Sequence, residues 1–279
     1  MILSRAQIDE IGEAALKEYD RCFPQRTSIF DTRPFSEVPI ERFASTYLKL
    51  NVRSAHLSDN GSICGLTAYE DTMYEFQEHG RTQTIQLHRN DILLDERFDR
   101  PENQQKLRGM RRFTLAHECA HQLLFQMENE AAKRACREKY EERRAYSFRE
   151  LKTREDWNEW QANALAAALL MPRDKMALGV QCYWRETPIK CFGGRFTYCD
   201  LMDINSFADH LGVSRTAAVI RLKQLGYIEN RPCREFHDPM EIEADEDFWD
   251  RMEDYLNEEV RYQDTTTSAR SGYQDQARA

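Results

Sequence analysis

A chain of 279 residues with 41% hydrophobic content can bury a full core, and its length suits one catalytic-sized domain plus appendages. The net charge of −9 argues against broad, nonspecific affinity for nucleic acid, because phosphate binding depends on clustered Lys and Arg. Residues Met1 to Glu10 lack the extended apolar core of a signal peptide, and no long apolar run occurs elsewhere. A cytoplasmic protein without membrane insertion is therefore expected. Its eight cysteines are irregularly spaced and read as free thiols. Cys182, Cys191 and Cys199 cluster, but lack the paired C-x-x-C form of a structural zinc site.

Along the chain, Ala6 to Tyr19 carries Ile8, Ile11, Ala14, Ala15 and Leu16 at helical spacing, with Pro24 soon after. This predicts a helix packed on the core. Pro39 to Leu48 predicts a second helix. From Asn51 to Ala68 the chain holds short β-prone pieces split by the turn signal Asp59-Asn60-Gly61, which predicts a small sheet. Thr82 to His88 alternates residue types and reads as a strand.

The run Arg112-Phe113-Thr114-Leu115-Ala116 leads into His117-Glu118-Cys119-Ala120-His121, and Gln122-Leu123-Leu124-Phe125 follows. Such a helix is apolar on several sides and largely buried. With 3.6 residues per turn, His117 and His121 share a face and can reach one tetrahedral ion, while Glu118 points toward its open position. This H-E-x-x-H spacing is that of a zinc peptidase. Zinc in such sites takes three protein ligands, so a third donor must come from elsewhere. Asp156 to Pro172 is Ala/Leu-rich and ends at a proline, which predicts a helix on which Glu159 and Asn163 are again one turn apart. Glu159 is the candidate third ligand, and the Asn163 side-chain oxygen a candidate acceptor for an imidazole N–H. Glu128, Glu130, Glu150 and Glu155 are rivals, but sit in or beside a charged stretch that reads as solvated.

The pairing of Arg112-Phe113-Thr114-Leu115-Ala116-His117-Glu118 with Glu159-x-x-Ala162-Asn163 and Leu169-Leu170-Met171-Pro172 resembles the ImmA/IrrE family of metallopeptidases, over roughly Pro39 to Gly226. The resemblance implies that His117, His121 and Glu159 bind one zinc ion per chain and that Glu118 is catalytic. It also implies a protein substrate, since family members are associated with cleaving helix-turn-helix repressors of mobile elements and stress regulons. Cys119 and Ala120 depart from the family pattern, which usually has an aliphatic residue and glycine there. The implied fold is α+β: a zincin-like peptidase with a small mixed sheet packed on helices, followed by a helix-turn-helix-like segment. In peptidases of this architecture an edge strand pairs with the extended substrate, so Thr84, Ile85 and Gln86 are substrate-strand candidates; the other reading of that strand is an interior one with no ligand role.

Asn129 to Arg154 is dense in Glu, Lys and Arg and predicts a solvated helix and linker without chemistry. From Ser206 to Leu222 a helix, the turn Gly212-Val213-Ser214 and a second amphipathic helix follow. Two readings stand. Arg215, Thr216 and Arg221 could approach DNA, or Phe207, Leu211, Val213, Ala217, Ile220 and Leu222 could form a bundle that buttresses the site. The resemblance favours the bundle. Beyond Pro239 an acidic helix around Glu243 to Glu259 and a disordered tail are expected. The expected organisation is thus an N-terminal helical extension (1–38), a peptidase core (39–175), a helical segment (176–238) and the acidic end (239–279). Tyr183, Arg195, Tyr198 and His210 are chemically suited to steady an oxyanion, and equally to structural roles. A DNA-binding regulator with a structural or degenerate metal site is the alternative function.

Overall fold

The computed structural model describes residues 2–24, 36–78, 80–127, 138–141, 154–185 and 187–237. Helix α1 (Arg5–Cys22) starts at a reciprocal cap, in which the Ser4 hydroxyl accepts from Gln7 N and the Gln7 side chain returns to Ser4 N. Its buried stripe includes Ile8, Ala15, Leu16 and Tyr19. The second expected helix is a short one, α2 (Ile40–Arg42), that continues as a π-helical turn over Phe43–Tyr47.

The β-prone region forms β1 (Asn51–Ala55) and β2 (Ile63–Thr67), and the turn between them closes through Gly61 N to Ser58 O with Gly61 at φ +63°. These strands are not partners. A hairpin of β3 (Thr72–Glu78) and β4 (Arg81–Leu87) comes next, then β5 (Asp91–Asp95), which inserts between them: β1 runs parallel to β5 and β2 antiparallel. On the far side of β2 lies β6 (Glu138–Glu141), antiparallel, giving a four-stranded sheet in the order β1-β5-β2-β6. Thus part of the charged stretch expected to be helix and linker is an edge strand. Backbone pairing to β2 prevails there over the helix-favouring composition; the rest of that stretch lies outside the described residues. Leu57, Leu66, Ala68, Tyr74, Leu87 and Leu93 form the core between sheet and hairpin, and Tyr74 Oη donates to Leu57 O at 3.0 Å.

A short helix α3 (Pro101–Gln104) precedes α4 (Arg108–Met127), which carries the H-E-x-x-H segment and packs on β2 and β5. Helix α5 (Arg154–Leu170) packs on both α4 and α1. Small residues set these spacings. Ala116 and Ala120 of α4 and Ala162 and Ala166 of α5 are fully buried, and a methyl at Gly12 of α1 would lie 3.1 Å from Ala168 Cβ. Pro172 ends the segment and starts α6 (Arg173–Trp184). Strand β7 (Ile189–Phe192) pairs with β8 (Ile228–Arg231), and between them run α7 (Tyr198–Leu211) and α8 (Arg215–Gln224), the latter capped by the Ser214 hydroxyl accepting from Ala217 N.

The backbone divides into two units, Met1–Ile189 with Met202–Glu229, and Lys190–Leu201 with Asn230–Ala279. In the second, Phe192 and Arg195 close a tight turn, Gly193 N donates to Arg231 O, and Phe192 meets Phe236 edge-on. The expected acidic helix and tail beyond Pro239 lie outside the described residues. Among those described, the cysteines are free and no helix is long and apolar enough to cross a membrane.

Arg112 of α4, 4% exposed, donates to Gly212 O at 2.9 Å and Val38 O at 2.7 Å, with Glu37 and Glu41 within ion-pair distance. One side chain thereby ties three segments together. Arg112→Met keeps the apolar stem but removes both bonds, and is expected to cost about 2–4 kcal/mol, read as a lower urea midpoint at unchanged slope.

Candidate metal centre

Helix α4 presents His117, Glu118 and His121 at 0%, 0% and 3% exposure. Helix α5 brings Glu159 across to them. His117 Nε2 lies 2.9 Å from His121 Nε2 and 3.4 Å from one Glu159 oxygen, and His121 Nε2 is 3.2 Å from the other. A tetrahedral zinc with bonds of about 2.0–2.1 Å needs donor atoms about 3.3 Å apart, so the triangle has the right size. One turn along α5, Asn163 Oδ1 accepts from His117 Nδ1 at 3.1 Å. That bond places the proton on Nδ1 and leaves the Nε2 lone pair toward the cluster.

The electrostatics point the same way. Burial pushes His117 down to about 4, with His121 adding to the effect and the bonds to Glu159 and Asn163 opposing it. For Glu159, burial would raise the carboxyl, but its close contacts with the His117 and His121 rings outweigh it and hold it below the usual carboxylate range. At neutral pH the cluster therefore offers a neutral imidazole at His117 beside an ionised carboxylate. Two imidazoles and one carboxylate are a donor set that fits zinc.

Glu118 is placed by β2. A methyl group on Gly65 would lie 2.9 Å from Glu118 Oε1 and 2.6 Å from Thr114 Cγ2, so only glycine lets the strand approach α4 this closely. At the other end of the contact, Gln122 Nε2 donates to Thr67 Oγ1 at 2.6 Å and to Ala68 O at 3.1 Å. Sequence reasoning missed both positions. A glycine inside an apolar strand was the available signal for Gly65, and a buried amide directly after the second histidine for Gln122.

Thr84, Ile85 and Gln86 lie on β4, which pairs with β3 in a two-stranded hairpin, whereas the strands packed on α4 are β2, β5 and β6. Hydrophobic alternation located the strand but carries no information on which sheet it joins. Of the oxyanion candidates, Tyr183 and His210 bond each other at 2.5 Å and the Tyr183 ring packs on Phe207, while Arg195 and Tyr198 belong to the second unit. Arg221, a candidate for reaching DNA, is 4% exposed and donates to Met171 O and Asp9, so it is committed to the interior.

A family model described as Peptidase_M78, IrrE N-terminal-like domain, matches residues 71–223, more than half of the chain. The chain belongs to this peptidase family. The match spans His117, Glu118, His121 and Glu159, so this M78 domain is a metallopeptidase scaffold in which His117, His121 and Glu159 form a group that could hold a metal ion. Its mixed α and β architecture is that of the family domain. No curated protein sequence matches the chain.

Two outcomes follow for this M78 domain. Protein purified without added metal should carry close to one equivalent of zinc by mass spectrometry of the metal, and Glu159→Ala should lose most of it while far-UV dichroism stays unchanged. Cys119 is fully buried, and burial together with Glu118 raises its thiol well above the ordinary value. Brief iodoacetamide treatment of the native protein at neutral pH should therefore label the exposed Cys182 and Cys199 and spare Cys119, read by peptide mapping.

Proposed function

We propose that the protein is a zinc-dependent endopeptidase that hydrolyses a peptide bond in a specific intracellular protein, a helix-turn-helix repressor or a regulator of stress or mobile elements. The observation that carries the reading is the convergence of His117, His121 and Glu159 with Glu118 on the adjoining residue of the same buried helix. His117, His121 and Glu159 would hold the ion, and Asn163 would keep His117 in the tautomer that binds it. Bound zinc supplies a Lewis acid that polarises the scissile carbonyl and makes a water acidic. Glu118 accepts the proton of the attacking water and returns it to the leaving amine. Its burial against Gly65 keeps the carboxylate from swinging away, so the proton is received and returned at one place. A protein rather than a small peptide as target rests on the family resemblance, as does a repressor.

The packing of α7 and α8 supports this over a DNA-reading protein. Gly212 O of the turn is taken by Arg112, and a methyl on Gly109 of α4 would lie 2.8 Å from Ser214 N, so the turn is pressed on the helix that carries the histidines.

Wild type and Glu118→Gln, each loaded with zinc, would be incubated with extract from the source cells, and new protein N-termini labelled and sequenced. The reading predicts a few discrete new termini with wild type, one of them in a helix-turn-helix protein, and a loss of about 10²–10⁴ in rate with Glu118→Gln at unchanged metal content. Equal cleavage by the two proteins would remove Glu118 from the mechanism.

A further inference from the structure

A groove of about 810 Å³ adjoins the metal cluster on the side of Asn163, which both lines the groove and holds His117. Three helices turn one face each toward it. Leu107 just before α4 and Met110 and Phe113 on its first turns line it, with Asn163, Ala164 and Ala167 on α5 and Ala217, Ile220 and Gln224 on α8. Steps of three and four residues put the α4 and α8 sets each on one helical face, and on α5 Ala167 lies one turn from both Asn163 and Ala164. The lining is apolar and only partly covered: Met110, Phe113, Ala164 and Ala167 are half-buried and Ile220 is 50% exposed. An apolar strip this open, flanked by short alanine side chains, is a surface that a second helix can approach closely.

The rim is cationic, against the trend of a chain whose net charge is −9. Arg5, Lys106, Arg108 and Arg215 border the groove, with Asp209 as the carboxylate among its lining residues. Arg108 is ion-paired with Glu37, and Arg5 lies over the Trp160 ring, whereas Lys106 and Arg215 extend from exposed positions. Arg215 opens α8, whose N-terminal dipole adds to the attraction for carboxylates. An apolar floor read at helical spacing with a basic rim matches one partner chemistry: an amphipathic helix with acidic flanks. Duplex nucleic acid matches the rim but not the floor, and α8 is a wall of the groove rather than a projecting helix.

We infer that this groove docks an acidic amphipathic helix of the protein that the enzyme cuts, anchoring it away from the scissile bond. The inference rests on the peptidase reading for what the docked protein is, but the docking itself is measurable without hydrolysis. The probe is a fluorescein-labelled peptide of about 18 residues, with Leu at i, i+3, i+4 and i+7 spacing and Glu on the remaining faces. Its anisotropy is followed on the full-length, zinc-loaded Glu118→Gln protein, which leaves the probe uncut. Micromolar binding is expected, about tenfold weaker in Lys106→Glu/Arg215→Glu and in Ile220→Glu, and preserved in Arg215→Lys. Zinc content and dichroism check that each variant is folded. A peptide with Lys in place of Glu should bind at least about tenfold more weakly.

Absence of binding at about 100 μM, or equal affinity for the Glu and Lys peptides, overturns the inference. So does a labelled DNA duplex whose binding is lost in Arg215→Glu, which would assign the rim to phosphate. A dimer in sedimentation velocity that Ile220→Glu dissociates would assign the groove to a second copy of the chain. If the probe binds as expected but extract from the source cells shows no cleavage by wild type, docking stands and the peptidase reading is what fails.

Discussion

Two imidazoles and a carboxylate lie on five consecutive residues of one buried helix, and the rest of the fold answers that constraint. Desolvating the His117 and His121 imidazoles on α4 is unfavourable unless their ring nitrogens find partners, so α4 needs a second helix that carries hydrogen-bond acceptors at the right height. Helix α5 meets the need because alanines on both helices let the axes come close, and because Glu159 and Asn163 stand one turn apart on the facing side. The same contact that relieves the burial cost also builds the ion-sized triangle. Packing and chemistry here are a single interaction.

Around that pair, α4 is restrained from three directions. Gln122 ties its C-terminal half to the end of β2, Gly65 lets the middle of that strand touch Glu118 and Thr114, and Arg112 ties its N-terminal half to Val38 and to the turn before α8. Each restraint uses a polar or minimal side chain in an otherwise apolar surface. A helix held at both ends and in the middle can keep its carboxylate within a fraction of an ångström of one position, as proton transfer in hydrolysis requires.

The α7–α8 pair has the outline of a DNA-reading motif, but of its three candidate contacts Arg221 faces inward while Arg215 and Thr216 stay exposed. Arg221 bridges Met171 O and Asp9, so a residue that would contact phosphate in a regulator instead links α8 to α1 and to the end of the Leu-Leu-Met-Pro segment. What the pair leaves open is the wall it shares with α4 and α5, apolar below and basic above. Its position beside Asn163 places any docked chain next to the metal cluster without occupying the donor atoms.

The sequence by itself determined the local elements and the chemical identity of the site. Helical spacing marks α1, the apolar run around H-E-x-x-H marks α4, Ala/Leu content ending at a proline marks α5 and the Ser cap after a glycine turn marks α8, while His117 with His121 and Glu159 with Asn163 are legible because 3.6 residues per turn put each pair on one face. Only the tertiary structure decided what depends on contacts far apart in the chain. The insertion of β5 between β1 and β2, the place of β6 on the sheet edge, the separation of Thr84, Ile85 and Gln86 into a hairpin and the burial of Arg221 carry no local signature. Alternation in a strand says which residues share a face but not which neighbour the backbone will find, and an arginine on a helix reads the same whether solvent or a carbonyl awaits it. Those choices are made by the long-range packing that settles where each face is buried.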